Sequence, residues 1–382
     1  MADNRIKQLF LEEGQSAWQD DISRDMLNEG GIRTAIEEIG IRGLTSNPTI
    51  FEKAIAAGTA YDEEIAGLLE RDLDAHAIFE TVAVRDIQNA ADLFRPLYES
   101  SEGGDGFVSI EVSPLAARDP AVTTDDARRL WAAVDRPNLM VKIPGTVEAE
   151  PVIQQMLTEG ININITLLFS VASYERVART YIAALVARRA AGQPIDRIAS
   201  VASFFVSRVD TLVDKLLDEK IAATSDATQK GWLESLKGKA AIANAKIAYQ
   251  SFERLFSGPE WDALAAAGAD VQRPLWASTS VKNPAFPDTM YVDELIGPQT
   301  VNTMPRPTMT AFLDHGTVKR TVDTDLSGAY KTMEDLAAAG IDIDAVTAQL
   351  EDEGIASFSK SYDSLLEGVA SKRSQLAGAP AD

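Results

Sequence analysis

The sequence predicts an α/β protein: a (β/α)8 TIM barrel with additional helices at the amino and carboxyl termini. Short apolar runs alternate with longer helical patterns, there are eight such runs, and several end in polar residues. Strands separated by helices pair in parallel with right-handed crossovers, and eight such units can close into a barrel. An open doubly wound sheet is the alternative, although neither GxGxxG nor GxxxxGK[S/T] follows a candidate strand.

The order of the predicted elements supports one domain spanning residues 1–382, with a barrel core at about 16–310. Residues 1–14 predict an amphipathic helix. Residues 321–376 predict C-terminal helices packed on the barrel, broken near 340–344 and at Gly354, with fraying at 377–382. The candidate strands are 16–19, 43–46, 107–112, 139–143, 161–165, 198–202, 274–277 and 300–304. The clearest helices are 75–97, 124–134, 147–157, 171–190, 209–220 and 240–256.

Composition excludes several classes of function. The 382 residues include 58 acidic and 36 basic ones, a net charge of −22 that repels nucleic acid and anionic membrane surfaces. Cysteine is absent and only His76 and His315 are present, so we expect no metal site built on thiolates or histidines. No targeting signal is evident and no apolar run approaches the roughly 18 residues of a membrane span. We therefore expect a cytoplasmic protein whose chemistry uses carboxylates, lysine and hydroxyls.

The first two candidate strands end in polar residues that also suit helix starts. Asp20 and Asp21 follow the first strand, and acids there favour the amino terminus of a helix. Asn47 precedes Pro48 after the second strand, an ordinary N-cap and N1 pair. In a barrel, these positions lie at the carboxyl-terminal end, where active sites form. The pattern leaves the capping and the catalytic interpretations open.

Charged residues occupy the third and fourth strands. Glu111 shares a strand face with Ser109 and Ser113, and its apolar flanks predict partial burial, which raises a carboxyl pKa and suits acid–base chemistry. Lys142 lies inside an apolar run, where burying an ammonium is costly. The same burial makes an amine a nucleophile toward a carbonyl. A solvent-facing strand and a surface lysine are the alternatives.

Amide, hydroxyl and cationic groups mark the next three strand ends. On the fifth strand, inward amides and hydroxyls would orient sugar hydroxyls and a water, whereas on an edge strand they would face solvent. After the sixth and seventh strands, a serine with a cation suits phosphate binding, with scattered surface cations as the alternative. The residues are Asn164 and Thr166, then Ser203 and Arg208, then Ser278 and Lys282.

Four segments in order make the sequence similar to the transaldolase family, most of all to its longer bacterial branch. The resemblance covers about residues 16–310, and the combination of segments is far more specific than any one of them. The segments are LTSNPTIF at 44–51, VKIPGT at 141–146, GININITLLFS at 160–170 and SFFVSR at 203–208.

The resemblance implies a TIM barrel that handles sugar phosphates through a lysine Schiff base, without a cofactor. Lys142 matches the lysine that joins the ketose. Asp20, rather than the competing Asp21, matches the acid that handles the C4-hydroxyl proton. Glu111 matches the carboxylate that works with Thr166 through a water in carbinolamine formation and breakdown.

The substrate-binding positions implied by the resemblance include one departure. Where relatives often supply a second arginine after the seventh strand, the nearest candidate here is a lysine, a point charge rather than a bidentate fork. The positions are Asn47 and Asn164 for the dihydroxyacetone unit, Ser203 in the pocket, Arg208 as main phosphate anchor, and Ser278 with Lys282 as the candidate second anchor.

Phe205 bears on the choice between transfer and simple cleavage. The related fructose-6-phosphate aldolases carry tyrosine at the position that resembles Phe205, and phenylalanine cannot activate water to hydrolyse the Schiff base. The resemblance therefore implies a transferase of the pentose phosphate pathway, with a class I aldolase and a catalytically silent barrel as alternatives. We expect a monomer or a homodimer.

Overall fold

Eight parallel strands close into a barrel in their order along the chain. The computed structural model describes residues 4–56, 58–71 and 73–378. Strand β1 pairs with both β2 and β8, so the predicted barrel is confirmed and the open-sheet alternative is wrong. The strands are β1 (Gln15–Gln19), β2 (Gly43–Leu44), β3 (Phe107–Glu111), β4 (Leu139–Pro144), β5 (Ile163–Leu168), β6 (Ser200–Phe205), β7 (Arg273–Ala277) and β8 (Thr300–Met304).

Helices follow the strands and surround the barrel. Those in the first half are α1 (Arg5–Glu13), α2 (Arg24–Asn28), α3 (Gly31–Thr34), α4 (Pro48–Ala56), α5 (Asp62–Leu68), α6 (Ala75–Ser100), α7 (Pro120–Val134) and α8 (Glu150–Glu159). Those in the second half are α9 (Val171–Ala190), α10 (Ser207–Ala223), α11 (Ala227–Glu234), α12 (Ala240–Leu255), α13 (Pro259–Ala265), α14 (Met290–Asp293), α15 (Arg306–His315), α16 (Leu326–Ala338) and α17 (Ile343–Gly378). A π-helical turn (Ala35–Ile39) and 3-10 turns (Leu69–Arg71, Pro114–Ala116) complete them.

Local sequence explains where the helices begin. At α7, Asp119 accepts hydrogen bonds from the N–H groups of Ala121 (3.0 Å) and Val122 (3.2 Å), and Pro120 takes the first helical position. Ser170 caps α9 in the same way. These caps satisfy N–H groups that have no partner inside the helix, and so favour helix starts at Pro120 and Val171.

Strands β5 and β6 begin two residues later and end three residues later than predicted, at 163–168 and 200–205 instead of 161–165 and 198–202. In β5 the pairing register with β6 shifts between Ile165 and Leu168, and Leu167 has a left-handed φ of 60°. Such a bulge re-aims the side chains beside it.

The C-terminal segment differs from the prediction at Gly354. The expected interruption at 340–344 separates α16 from α17, but the break at Gly354 is wrong because α17 runs through it. A Cβ at this glycine would lie 3.0 Å from Leu167 Cδ2. Gly354 therefore permits close packing of the helix on β5 rather than ending the helix.

Helix α1 covers most of the predicted amino-terminal helix and buries Ile6 and Leu9. Residues 1–3 and 379–382, which include part of both terminal predictions, lie outside the described residues. Within the described part of the chain, no helix is both long enough and apolar enough to cross a membrane.

Candidate active site

A cavity of about 450 Å³ opens at the carboxyl-terminal end of the barrel. Eight of the ten predicted site residues line it: Asp20, Asn47, Lys142, Thr166, Ser203, Arg208, Ser278 and Lys282. The other two, Glu111 and Asn164, lie directly behind this lining, each hydrogen-bonded to a residue in it. Neither histidine lines the cavity. The structure thus brings together polar groups from strands that are far apart in sequence.

Lys142 and Glu111 form a buried pair at the centre of the site. They are register partners on adjacent strands β3 and β4. Lys142 Nζ donates to Glu111 Oε2 at 2.9 Å and to the Ser46 carbonyl oxygen at 3.4 Å. The two side chains are 6% and 3% exposed. Because both groups are enclosed, the surface-lysine and solvent-facing alternatives are wrong.

Two polar atoms beside this pair lack a hydrogen-bond partner among the described residues. They are Glu111 Oε1 and the Thr166 hydroxyl oxygen, and both are buried. Burial raises the pKa of Glu111 above its ordinary value, although Lys142 opposes the shift and Asp20 adds to it. A carboxyl with a raised pKa and one free oxygen can exchange a proton with a bound molecule.

Asp20 occupies the opposite wall, immediately after β1. The Thr45 hydroxyl donates to its Oδ1 at 2.7 Å and lies 2.7 Å from the Thr303 hydroxyl. Burial raises the pKa of Asp20, while Lys142 and the Thr45 hydrogen bond act in the other direction. Asp21 instead faces Arg306 at 3.8 Å, is 38% exposed and does not line the cavity. The geometry favours Asp20 over Asp21 as the acid–base group.

Asn164 lies buried below the cavity floor, with both ends of its amide hydrogen-bonded. Its amide nitrogen donates to Ser109 Oγ at 3.1 Å, and Ser203 Oγ donates to its amide oxygen at 2.7 Å. All three residues are at most 2% exposed. The barrel closes around them, so the edge-strand alternative is wrong. Their network fixes the Ser203 hydroxyl at the cavity wall.

Asn47 both caps a helix and lines the cavity, so both interpretations of its motif apply. Its side-chain oxygen accepts a hydrogen bond from the Ile50 N–H at 3.1 Å, at the start of α4, and the residue also lines the cavity. Pro48 takes the first helical position. The side-chain oxygen is engaged in the cap, which leaves the amide nitrogen as the group for a ligand.

Cations gather on the cavity rim. Arg208, at the start of α10, lies over the Phe205 ring at 5.7 Å and forms no salt bridge in the part of the chain that the structure describes. Burial lowers its pKa, opposed by Glu353. Ser278 has a left-handed φ of 56° and lies 2.9 Å from Ser207 Oγ. Lys282 is exposed and donates to Ser280 at 2.6 Å.

Among the cavity residues that sequence reasoning missed, four lie close to the predicted groups or add charge to the site. Thr45 and Thr303 support Asp20, Lys53 adds a cation from α4, and Phe358 of α17 faces Lys142. Thr45 lies inside the recognised motif at 44–51 and could have been found there. The other three have no local signal, because a threonine in a strand, a helical lysine and an apolar helix residue are all ordinary.

Comparison with known proteins agrees with this geometry. The family model described as Transaldolase/Fructose-6-phosphate aldolase matches residues 17–369. The chain belongs to this family. Members of it include the transaldolase of Trichodesmium erythraeum, 49% identical over 365 residues that cover 95% of this chain and 96% of that protein. The transaldolase of Thermobifida fusca is 47% identical over 364 residues, 95% and 97% of the two chains.

A further relative, transaldolase 2 of a Nostoc species, is 47% identical over 375 residues, which cover 97% of this chain and 98% of that one. The match to the family therefore extends beyond the barrel into the C-terminal helices. The segment predicted from sequence motifs, about 16–310, was shorter because it contains the motifs and α17 does not.

Proposed function

We propose that this chain is a transaldolase. It transfers a dihydroxyacetone unit from a ketose phosphate, sedoheptulose 7-phosphate or fructose 6-phosphate, to an aldose phosphate, glyceraldehyde 3-phosphate or erythrose 4-phosphate. The observation that carries the proposal is the buried amine of Lys142, which lines the cavity within 2.9 Å of a carboxylate that has a free oxygen. The family membership supports the same activity.

The first step joins the ketose to the enzyme. Neutral Lys142 attacks C2 of the ketose, its nitrogen forms the C–N bond, and the carbonyl oxygen becomes the carbinolamine hydroxyl. Glu111 supplies the proton with which this hydroxyl leaves as water, and Thr166 positions the water. The Glu111 carboxyl, whose pKa is raised, and the Thr166 hydroxyl, which has no partner among the described residues, suit these roles.

The second step cleaves the sugar. The iminium formed at Lys142 accepts the electron pair of the C3–C4 bond while Asp20 takes the C4-hydroxyl proton. An aldose phosphate leaves and an enamine of dihydroxyacetone stays on the lysine. C3 of the enamine then attacks the aldehyde carbon of a second aldose phosphate, and Asp20 donates its proton to the oxygen that becomes the new C4 hydroxyl. The new ketose leaves by the reverse of the first step: water adds to C2, Glu111 takes the proton, and the C–N bond breaks to free the ketose and Lys142.

Substrate binding uses the remaining groups. Asn47 and the Ser203–Asn164 pair hold the hydroxyls of the three-carbon unit, and Arg208 with Lys282 and Ser278 holds the phosphate. Arg208 supports this role because it is partly buried at the cavity and has no carboxylate in salt-bridge contact among the described residues. The monomeric or dimeric state and the cytoplasmic location stay predictions.

Transfer is favoured over a fructose-6-phosphate aldolase activity by Phe205. Its ring lines the cavity, lies 5.3 Å from the Phe169 ring and carries no hydroxyl to position a hydrolytic water. The enamine therefore persists until an aldehyde arrives. Under the alternative, dihydroxyacetone would be released freely without an acceptor.

Borohydride trapping tests the proposal. Reduction in the presence of fructose 6-phosphate should place a three-carbon adduct on Lys142, located by mass spectrometry of peptides. Lys142→Ala should lose the adduct and sedoheptulose 7-phosphate formation from fructose 6-phosphate and erythrose 4-phosphate. Lys246, a buried lysine outside the cavity that is 6% exposed, is the matched control: Lys246→Met should retain both. Full transfer activity in Lys142→Ala would refute the mechanism.

A further inference from the structure

Asp20, the proposed base of the cleavage step, is tied to both strands that flank β1. Its backbone N–H donates to the Met304 carbonyl oxygen of β8 at 2.9 Å. Its Oδ1 accepts from the hydroxyl of Thr45, the residue that follows β2, at 2.7 Å. Thr45 is itself placed by β1, because its N–H donates to the Gln19 carbonyl oxygen at 2.9 Å. The Asp20 carboxyl is therefore held from two sides.

The Thr45 hydroxyl lies between two other oxygens. Its oxygen is 2.7 Å from Asp20 Oδ1 and 2.7 Å from Thr303 Oγ1. A threonine hydroxyl has one proton to donate and two lone pairs with which to accept, whereas an ionised carboxylate can only accept. The Thr45 proton therefore goes to Asp20, and Thr303 is the donor in the second contact. The three groups form a hydroxyl chain with one direction, from Thr303 through Thr45 to Asp20.

The hydroxyl chain is enclosed by the barrel. Thr45 and Thr303 are 2% and 3% exposed, and both line the cavity. A buried hydroxyl is costly unless it is hydrogen-bonded. Valine has the same branched shape and would need no partner. The packing of the barrel therefore does not by itself account for hydroxyl groups at these two positions.

The chain makes the two oxygens of Asp20 unequal. Oδ1 is occupied by Thr45, whereas Oδ2 has no hydrogen-bond partner among the described residues, and Asp20 lines the cavity. Burial raises the pKa of Asp20, and the hydrogen bond from Thr45 lowers it. The bond thus favours the ionised carboxylate, which is the form that can take a proton from the sugar.

We propose that Thr45 and Thr303 are positioning residues for the cleavage step: their hydroxyl chain reserves Oδ1 of Asp20 as an acceptor and leaves Oδ2 to exchange the C4-hydroxyl proton. The inference rests on the proposed transaldolase activity. In cleavage, the proton of the C4 hydroxyl moves to Oδ2 while the electron pair of the C3–C4 bond moves to the iminium. In the condensation with the second aldose, the same proton returns from Oδ2. Oδ1 accepts from Thr45 in both states, so neither threonine reorients during the reaction.

Thr45→Val and Thr303→Val test the chain, because valine keeps the branched shape and removes the hydroxyl. Enzyme in excess is mixed with fructose 6-phosphate, borohydride is added at timed intervals, and peptide mass spectrometry measures the six-carbon and three-carbon adducts on Lys142. Conversion of the first adduct to the second should slow by about 10–100-fold in Thr45→Val and about 3–10-fold in Thr303→Val, a part of the factor that acid–base catalysis supplies. Formation of the six-carbon adduct should not change, since Glu111 serves that step.

The serine variants separate positioning from packing. Thr45→Ser and Thr303→Ser remove a methyl group and keep the hydroxyl, so each should regain most of the conversion rate that the corresponding valine variant loses. A role in packing predicts the opposite order, because valine preserves the volume of the side chain and serine does not.

The pH profile of conversion gives a second readout. Loss of the Thr45 donor should raise the pKa of Asp20, so the pH of half-maximal conversion should be higher in Thr45→Val than in the unaltered chain. A displaced carboxyl alone would slow conversion equally at every pH. The substitution leaves in place the charged groups around Asp20, which are Lys142, Glu111 and Asp21, with Arg306 and Lys53 beside Asp21.

Thr300→Val is the matched control. Thr300 lies on the same strand as Thr303, is 0% exposed and accepts a hydrogen bond from Gln15 at 2.9 Å, but it does not line the cavity. Its conversion rate per folded molecule should equal that of the unaltered chain. Unchanged conversion in both valine variants of the chain, serine variants as slow as the valine variants, or equal slowing in Thr300→Val would each overturn the inference.

Borohydride trapping on the unaltered chain separates the two proposals. If no adduct forms on Lys142, the proposed transaldolase mechanism fails and the role of the hydroxyl chain fails with it. If both adducts form and the valine variants convert one to the other at the original rate, only the hydroxyl chain is overturned. Both adducts, together with slowed conversion that serine restores, support both proposals.

Discussion

Each end of the barrel contains a buried carboxylate with basic partners. The two carboxylates differ in how many of their oxygens accept hydrogen bonds. At the amino-terminal end, Asp105 precedes β3. Its Oδ1 accepts from Trp18 Nε1 at 3.0 Å and Arg273 Nη2 at 3.2 Å, and its Oδ2 accepts from Ser16 Oγ at 2.5 Å and Arg42 Nε at 2.6 Å. Both oxygens are fully occupied, which suits a group that fixes the barrel.

At the carboxyl-terminal end, Glu111 is equally enclosed but half bonded. Oε2 accepts from Lys142, while Oε1 has no partner among the described residues. An unbonded buried oxygen costs free energy of folding. Proteins retain a buried unbonded oxygen mainly where a ligand or a water completes its hydrogen bonding. Incomplete bonding, rather than burial or charge, therefore distinguishes Glu111 from Asp105, although uncharged side-chain atoms at the amino-terminal end, Gln15 Oε1 and Gln272 Oε1 among them, are also buried without a hydrogen-bond partner among the described residues.

The largest effect is expected at Asp20. Asp20→Asn should lower the rate of transfer by about 10²–10⁴-fold, because the amide cannot take the C4-hydroxyl proton. Schiff-base formation should persist. Borohydride should therefore trap the whole six-carbon fructose 6-phosphate on Lys142 instead of a three-carbon unit, as measured by peptide mass spectrometry.

Asp21→Asn is the control for this variant, because Asp21 is the neighbouring acid that faces Arg306 and does not line the cavity. It should keep the transfer rate within about threefold, the scale of a lost surface ion pair. The opposite pattern, with the larger loss in Asp21→Asn, would break the proposed division between the two acids.

At the amino-terminal end, we expect a substitution to change stability rather than the transfer rate. Asp105→Asn should lower the free energy of unfolding by about 3–5 kcal/mol, because Arg42 and Arg273 lose the charge that compensates their partial burial. Transfer per folded molecule should not change. Urea unfolding followed by fluorescence measures the first quantity, and the initial rate at low temperature measures the second.

Asp92→Asn provides the comparison, because Asp92 forms an exposed bidentate pair with Arg136, at 2.6 and 3.0 Å. Its side chain is 54% exposed. The same chemical change there should lower the free energy of unfolding by less than about 1 kcal/mol. Equal losses in the two variants would mean that enclosure of the Asp105 cluster contributes nothing beyond an ordinary ion pair.

Asp210 sharpens the comparison, because it has a raised pKa without a free oxygen. Burial raises its pKa to about 6, while its oxygens accept from the Ala241 N–H and the Tyr291 hydroxyl, each at 2.8 Å. By the bonding criterion Asp210 is structural. Asp210→Asn should therefore leave the transfer rate at neutral pH unchanged while altering how stability depends on pH.

The sign of that pH dependence follows from proton binding. Between about pH 4 and pH 6 the folded chain holds the Asp210 proton more tightly than the unfolded chain, so this group's contribution to stability falls as pH rises. Asp210→Asn cannot ionise. Its unfolding free energy relative to the unaltered chain should therefore increase by about 2 kcal/mol from pH 4 to pH 7.

Tyr291→Phe supplies an independent check. The hydrogen bond from Tyr291 lowers the pKa of Asp210. Removing it should therefore raise that pKa, and the pH range over which stability falls should extend to higher pH. Urea unfolding at closely spaced pH values measures both variants. Parallel stability curves for Asp210→Asn and the unaltered chain would show that Asp210 does not titrate in this interval.

Much of the barrel could be predicted from sequence because its signal is local. The alternation of apolar strands with amphipathic helices located all eight strands, and β8 was predicted at its observed bounds. The predictions erred where tertiary contacts override local pattern. Gly354 continues a helix because it packs against Leu167, and β5 extends beyond Ile165 through a bulge that no propensity reveals.

The residues of the site likewise divide into those that have a local signal in the sequence and those that have none. Lys142 and Glu111 were visible as charged residues inside apolar runs, because burying a charge is exceptional enough to mark a position. Phe358 was not visible, since an apolar residue in an amphipathic helix is expected to pack on the core. Only the closed barrel, which brings α17 over β4, reveals that this ring faces an amine.

The smallest expected effect concerns Lys282, the exposed cation of the rim. Lys282→Ala should raise the KM for fructose 6-phosphate by about 3–10-fold with little change in kcat, because a single exposed cation contributes about 1 kcal/mol of uniform binding. The effect should weaken with added salt, since exposed charges are screened. Arg208→Ala should raise KM more, because its guanidinium is partly enclosed and can bind phosphate through two N–H groups. Unphosphorylated fructose is the control substrate: its KM should not respond to Lys282→Ala. An equal rise in KM for both sugars would place Lys282 outside the phosphate subsite and leave Arg208 as the anchor on this rim.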